Sequence, residues 1–204
     1  NHSHLILVQI EQAGDLQALE QPAAQINELL SALHRGGTRV ALMAQLVQQL
    51  NTRLFERAWG MIAPSDLQAN SCLFVMGSEG RGEQLLKTDQ DNGLLLRDGY
   101  QPPHNLAEIC QQFSDALARF GYPECPGRIM LNNPAWRGTV KEFTQRLKRW
   151  LLVPEGADDL MHLGIFLDAL AVAGDAHLLT QVRDNLQAFT LDSDVQVARF
   201  AAAV

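Results

Sequence analysis

Cysteine is scarce in this sequence, and the few cysteines present are not arranged for disulfides or for zinc. Cys72, Cys110 and Cys125 are far apart and odd in number, whereas disulfide scaffolds and zinc sites use even or closely spaced sets. This usage fits a reducing compartment. We therefore predict a cytoplasmic protein whose cysteines are buried or unreactive thiols.

Long apolar runs are also missing. No stretch reaches the roughly 20 apolar residues that cross a bilayer, so we predict no membrane partner. The start, Asn1-His2-Ser3-His4, lacks the basic residues and the cleavage site of a signal peptide. We interpret His2 and His4 as part of a loose terminus. An initiator Met is absent too, from which we expect a fragment of a longer chain.

Basic residues are outnumbered by acidic ones. Sixteen Lys and Arg against 23 Asp and Glu give a formal net charge of -7. A general nucleic-acid-binding surface needs an excess of cations, so we predict no nucleic-acid partner. A nucleotide that arrives with a divalent cation stays compatible, because the ion cancels part of the local negative charge.

Apolar residues at three- and four-residue steps predict a helical hairpin at the N-terminus. Its first helix covers 16–33 and stops at His34-Arg35-Gly36-Gly37, and its second runs from about 38 to 59. The same spacing predicts further helices in the second half of the chain, at 105–120, 139–152, 178–189 and 195–203.

Short apolar runs bounded by turn residues predict the strands. They lie at 73–76, 92–96, 128–131 and 163–168, although a helix also fits the last of these. Because strands and helices alternate through the middle of the chain, the predicted class is α/β or α+β. We divide the chain into an N-terminal helical region at 1–63, a central domain at 64–176 and C-terminal helices at 177–204.

Two acidic residues carry the first chemical signal. Asp89 and Asp91 stand two apart directly before a predicted strand, and on an extended backbone this spacing points both carboxylates to one face, roughly 7 Å apart. Magnesium prefers such oxygen ligands, and a pair of ions can clamp the attacking and leaving oxygens of a phosphoryl displacement. Most isolated Asp-x-Asp pairs are solvated strand ends, so the pair alone is a weak signal.

A glycine-rich loop upstream of the acidic pair strengthens this chemical signal. Gly77 and Ser78 directly follow a predicted buried strand, and Gly80 lets the backbone approach a ligand closely. Free backbone N–H groups before a helical turn at 83–87 would form an anion-binding concavity, and Arg81 and Lys87 would offset phosphate charge. The loop has neither the Walker nor the Rossmann spacing. The alternative is a glycine-rich connection that binds nothing.

The segment from Gly77 to Gln84, together with Thr88-Asp89-Gln90-Asp91-Asn92, resembles the signature of a bacterial family of nucleotidyltransferase-like proteins. That family is similar to the PII-protein uridylyltransferases, and in longer chains it often follows cyclic-nucleotide-binding and CBS modules. Two later segments, 125–138 and 166–175, resemble further blocks of the family. The resemblance covers nearly the whole chain.

The resemblance implies a nucleotidyltransferase-type mixed β-sheet flanked by helices, with an N-terminal helical hairpin and the start of a C-terminal helical region. The nucleotide-binding residues would be Gly77, Ser78, Gly80, Arg81 and Lys87. Asp89 and Asp91 would hold Mg²⁺, as one or two ions with Mn²⁺ as a substitute, and would act in catalysis with Asp168 as a third carboxylate. The family commonly has an arginine two residues after this aspartate, where this chain has Leu170.

These observations lead to three hypotheses on function. The first is an enzyme that transfers a nucleoside monophosphate from a nucleoside triphosphate to an acceptor hydroxyl. This hypothesis includes a protein as the acceptor, and it assigns the enzyme to signal transduction with CBS or cyclic-nucleotide-binding modules upstream in the chain. The second, motivated by Leu170, is an inactive nucleotide-sensing regulatory module. The third is a dimer or partner interface formed by the leucine-rich helices.

Trp136 is either a core residue or an indole that stacks on a base.

Overall fold

The structure is a computed structural model that describes residues 2–35, 40–76, 90–153 and 155–203. Its strands are β1 (Ser71–Val75), β2 (Asn92–Leu96), β3 (Arg137–Thr139) and β4 (Leu170–Gly174). They form one sheet in the order β3-β2-β1-β4. β1 runs antiparallel to β2 and β4, whereas β2 and β3 run parallel. The sheet is therefore mixed, and the predicted fold class is confirmed.

Helices cover both faces of this sheet. In chain order they are α1 (His2–Gln12), α2 (Glu20–Arg35), α3 (Val40–Ile62), α4 (Ser65–Ala69), α5 (Leu106–Arg119), α6 (Val140–Leu152), α7 (Ala157–Leu167) and α8 (His177–Ala203). Among the residues that the structure describes, no helix combines the length and the apolar character needed to cross a membrane.

Strand β1 lies at the centre, with all five residues buried. Because side chains alternate along a strand, Leu73 and Val75 join one hydrophobic core, while Cys72 and Phe74 join another. The first core packs β1 against α1, α2, α3 and α5, and the second packs it against α6, α7 and α8. A strand buried on both faces reads in sequence as a continuous apolar run, which is why β1 was predictable.

The N-terminus corrects one prediction. The interpretation of His2 and His4 as a loose terminus is wrong, because α1 begins at His2 and buries Ile6 and Ile10 in the first core. Its helix contacts α2 and α3, so the predicted hairpin of α2 and α3 is present with a third helix packed against it. The domain boundaries proposed from the sequence stay a prediction.

One predicted strand is also wrong, and for another the helical alternative is the correct one. The segment 128–131 is not a strand, because Arg128 adopts a left-handed backbone conformation, with φ 56°, that interrupts an extended run. The strand that follows this segment in the chain is β3, which is too short to show a pattern of apolar residues. The segment 163–168 lies in α7 and the turn that follows it, and β4 begins only at Leu170. The helices predicted at 178–189 and 195–203 are one helix, α8.

Other boundaries are close to prediction. Strand β2 matches the predicted 92–96, and α6 begins where Thr139 was expected to start a helix. Thr139 and Glu142 form a reciprocal capping box: the Glu142 N–H donates to Thr139 Oγ1 at 3.1 Å, and the Thr139 N–H donates to Glu142 Oε1 at 3.4 Å. The end of β3 is thereby joined directly to the start of α6.

Gly93 of β2 provides a test of how closely β2 packs against Phe74 and Trp136. A Cβ at Gly93 would lie 2.3 Å from Phe74 Cζ and 2.8 Å from the Trp136 carbonyl oxygen. We expect Gly93→Ala to lower the free energy of unfolding by about 1–3 kcal/mol through overpacking, measured by urea denaturation. Gly164→Ala is the control, because a Cβ there has open space within α7 and should stabilise the helix by up to about 1 kcal/mol. Equal effects of the two changes would contradict the packing described.

Candidate active site

Most residues of the predicted nucleotide loop lie outside the described residues. Residues 77–89 contain the predicted helical turn and the predicted site residues Gly77, Ser78, Gly80, Arg81, Lys87 and Asp89. Their roles stay predictions. Asp91 and Asp168 are described, and the geometry of the site is built from them and from the residues that hold them.

Asp91 and Asp168 flank the end of the central strand. Val75, the last residue of β1, pairs with Asn92 on one side and with Leu170 on the other. Asp91 continues the β2 register, since its carbonyl oxygen accepts from the Met76 N–H at 3.0 Å. Asp168 lies two residues before β4. Because adjacent strands are about 4.8 Å apart, β2 and β4 are separated by about 10 Å across β1. The two aspartates therefore border the point where the chain leaves β1.

Residues 90–92 alternate between the two sides of the sheet. Gln90 and Asn92 are 1% exposed, and the Gln90 amide reaches Ser114 and Tyr122 on the side of the first core. Asp91, paired with Met76, lies on the side of the second core and is half-buried. Alternation of this kind is what an extended backbone requires. Asp89 lies outside the described residues, so the common face for the two carboxylates stays a prediction.

A neighbouring loop holds the start of β2 in place. The Gln90 N–H donates to the Pro123 carbonyl at 3.0 Å, and the Asn92 N–H donates to the Ile129 carbonyl at 3.0 Å. The Leu131 N–H donates to Asn92 Oδ1 at 2.9 Å. These bonds satisfy buried polar groups that would otherwise be costly to desolvate. The loop 123–131 is therefore one wall of the candidate site.

The cysteine of this loop contacts Asp91 directly. Partial burial raises the pKa of the Cys125 thiol, and the negative charge of Asp91 and a side-chain hydrogen bond to it raise the pKa further, whereas the backbone N–H groups of Ile129 and Gly127 lower it. The thiol is thus kept protonated and available to donate to the carboxylate. Cys125 was predicted to be a buried or unreactive thiol, and its contact with Asp91 was not foreseen.

The turn that follows Cys125 is strained. The Arg128 N–H donates to the Cys125 carbonyl at 2.9 Å, which closes the Cys-Pro-Gly turn. Arg128 then adopts the left-handed conformation, which is uncommon for residues other than glycine. This conformation reverses the chain, so that the Ile129 carbonyl can accept from Asn92. Asn133 Nδ2 fixes the reversal by donating to the Arg128 carbonyl at 2.9 Å.

Asp168 lies at the end of α7. Its N–H donates to the Ile165 carbonyl at 3.2 Å, and its side chain is half-buried. The carbonyl of the next residue, Ala169, accepts from the Arg183 guanidinium of α8. This arginine was not singled out from the sequence, because nothing in its spacing links α8 to the turn.

Among the described residues, no group of three or more His, Cys, Asp and Glu side chains could hold a metal ion.

Trp136 belongs to the protein core. It is 1% exposed and contacts Phe143, Trp150 and His162 at ring-centroid distances of 6.1, 5.4 and 5.5 Å. An indole buried to this extent presents no face to a nucleobase. The alternative that Trp136 stacks on a base is therefore wrong, and its role is to pack the second core.

The other two cysteines behave as predicted. Burial raises the pKa of Cys72 to about 12 and that of Cys110 to about 11, and both are 0% exposed. Since the thiolate is the reactive form, these two thiols stay unreactive at neutral pH in the folded protein.

The contact between Cys125 and Asp91 makes a testable prediction. At pH 8 we expect slow alkylation of Cys125 by iodoacetamide, because its raised pKa leaves little thiolate. Asp91→Asn removes the neighbouring charge and should speed alkylation of Cys125 severalfold, measured by peptide mass spectrometry. Asp115→Asn, an exposed carboxylate of α5, is the matched control and should leave the rate unchanged. An unchanged rate in the Asp91 variant would argue against the contact.

Of two comparisons with known proteins, one identifies a family. The comparison with curated proteins gives no match. The family model described as "Putative nucleotidyltransferase DUF294" matches residues 24–157, which is more than half of the chain. The matched segment contains the glycine-rich loop, Asp91 and the loop 123–131, and it ends before Asp168. On this match and on its mixed sheet, the chain belongs to this nucleotidyltransferase family.

Proposed function

We propose that the protein transfers a nucleoside monophosphate from a nucleoside triphosphate to an acceptor hydroxyl, with Mg²⁺ as its cofactor. The observation that carries the proposal is the placement of Asp91 and Asp168 on either side of the end of β1. The glycine-rich residues 77–89 follow that end directly in the sequence. Carboxylates and an anion-binding loop would therefore share one edge of the sheet.

The donor atoms suit the proposed cation. Asp91 and Asp168 offer carboxylate oxygens, the ligand type that Mg²⁺ and Mn²⁺ prefer. The Cys125 thiol interacts with Asp91, and its raised pKa keeps it a thiol rather than a thiolate that would favour softer metals. Asp91, with Asp89, would hold the ion. When bound, the ion would neutralise phosphate charge and orient the triphosphate for in-line displacement.

The chain's own residues would position the reactants and accept the proton. The acceptor oxygen attacks the α-phosphorus, the bond from that phosphorus to the bridging oxygen breaks, and pyrophosphate leaves with its electron pair. Asp168 would take the hydroxyl proton as a general base. The backbone of residues 77–80, with Arg81 and Lys87, would bind the phosphates. Catalysis of this kind depends on positioning and electrostatics rather than on a covalent protein intermediate.

The acceptor and the biological context are a further part of the proposal. Residues 77–92 resemble the signature of a family that is similar to the PII-protein uridylyltransferases. A protein hydroxyl is therefore one acceptor to test, in a signalling context with upstream CBS or cyclic-nucleotide-binding modules. A small-molecule hydroxyl is the other class. Labelled nucleotide incubated with a cell extract separates the two, because label in the protein fraction indicates a protein acceptor.

Asp91→Asn tests the metal-nucleotide site. We expect one of ATP, UTP, CTP and GTP, with Mg²⁺, to raise the Tm of the wild-type protein, since a ligand that binds the native state stabilises it by about 2.7 kcal/mol at 100 times its Kd. Asp91→Asn should lose this shift and reduce nucleotidyl transfer about 100-fold or more. Asp115→Asn, on the exposed face of α5, should retain both. A full Tm shift in the Asp91 variant would refute the assignment.

A nucleotide-sensing module is the second candidate, and Leu170 favours it. At this position the chain presents an apolar side chain of β4 that packs against the first core. Asp168→Asn distinguishes the two functions. In an enzyme this variant should still bind the metal-nucleotide complex but stop transferring, because it lacks the general base. If the wild-type protein binds nucleotide and releases no pyrophosphate above background, the sensor is the correct function.

A further inference from the structure

Gln90, which separates the two aspartates in the sequence, is among the most completely buried polar residues described. It is 1% exposed. Its side-chain amide donates to the Ser114 carbonyl at 2.9 Å and to the Tyr122 carbonyl at 3.0 Å. Its backbone N–H donates to the Pro123 carbonyl at 3.0 Å. One residue thus bonds the start of β2 to three points of the surrounding main chain.

These points belong to rigid parts of the fold. Ser114 lies within α5 and is 0% exposed, and Tyr122 is equally buried. The Tyr122 hydroxyl bonds to Asn51 of α3, and its ring packs edge-on against Phe55 with centroids 5.1 Å apart. The contacts of Gln90 therefore connect the acidic segment to the helices of the first core.

The side chain of Gln90 lies on the face opposite Asp91. Along an extended backbone, fixing the direction of one residue fixes the directions of its two neighbours, which point to the other side. A neutral amide suits this location, because it satisfies two buried carbonyl groups without placing a charge beside the carboxylates. Loss of these bonds would allow the segment to rotate about its axis, and the Asp91 carboxylate would move with it.

We propose that Gln90 is a positioning residue, which sets the direction in which the Asp91 carboxylate meets the metal ion. This inference rests on the proposed function, and it gives the middle residue of the Asp-Gln-Asp sequence a role of its own. Metal sites tolerate little displacement of their ligands, and removal of a group that orients a ligand typically lowers metal affinity by about 10- to 100-fold.

The test compares two glutamines that make the same kind of bonds. Gln68 of α4 donates from its amide to the carbonyls of Gly60 and Ala63, at 3.3 and 2.7 Å, and it precedes the opposite end of β1. Gln90→Met and Gln68→Met keep the length of the side chain and remove both donors. The Tm of each variant without ligand measures the loss of stability. Mg²⁺ is then titrated at a fixed concentration of whichever of ATP, UTP, CTP and GTP stabilises the wild-type protein most.

We expect Gln90→Met to raise the Mg²⁺ concentration at half-maximal stabilisation about 10-fold or more, and Gln68→Met to leave it within about twofold of wild type. A purely structural role of Gln90 would lower the Tm without ligand and leave the Mg²⁺ midpoint unchanged. If Gln90→Met does not fold, Gln90→Asn replaces it, because the shorter amide cannot reach both carbonyls.

The outcomes separate this inference from the proposed function. A wild-type protein that responds to Mg²⁺ and nucleotide, with equal midpoints in the two glutamine variants, overturns the positioning role and leaves the proposed function standing. A wild-type protein that shows no Mg²⁺-dependent stabilisation with any of the four nucleotides overturns both. A shifted midpoint in both variants means that metal affinity follows stability in general, and it also overturns the role given to Gln90.

Discussion

The hydrogen bonding of β1 on both of its edges is the constraint on which the site depends. This strand is buried on both faces and pairs with β2 on one side and β4 on the other. A central strand cannot slip in register without moving every side chain to the wrong core. The packing of Leu73, Phe74 and Val75 therefore fixes the positions of Asp91 and Asp168 relative to the end of β1.

Buried polar groups provide the second level of precision. Gln90 and Asn92 are enclosed by the fold. Gln90 Nε2 donates to the Ser114 carbonyl of α5, and Asn92 Oδ1 accepts from the Leu131 N–H of the loop 123–131. An unpaired buried amide is costly, so this loop must keep its conformation even though that requires a left-handed backbone at Arg128. Strain of this kind persists where the surrounding structure over-determines it, and it is common beside functional sites. Here the strained residue lies in the loop that borders Asp91.

The sequence predicted those parts of the fold whose signal is local. β1 and β2 are apolar runs ended by turn residues, and the start of α6 has its capping residues in the sequence. The apolar run within α7 fits a strand or a helix equally well. Strand β3 is not predictable, because its three residues, of which Gly138 is one, show no pattern. At the site, the Asp-x-Asp spacing indicated the carboxylates, but the contacts of Gln90 with Tyr122 and of Cys125 with Asp91 join residues 32 and 34 positions apart. No local rule of spacing contains such contacts, since they depend on how α5 and its following loop pack on the sheet.

The balance of charge explains why a cation is part of the proposed chemistry. The chain carries a formal charge of -7, and a triphosphate would add negative charge at an edge that already holds Asp91 and Asp168. Among the described residues near that edge, Arg183 is bonded to the Ala169 carbonyl and Arg128 is exposed on a turn. Arg81 and Lys87 of the glycine-rich loop would supply two positive charges. A triphosphate and three carboxylates together carry more negative charge than these two side chains can balance. Divalent ions between the carboxylates and the phosphates would reverse this repulsion, so the proposed function implies that nucleotide affinity and metal binding at this edge are coupled.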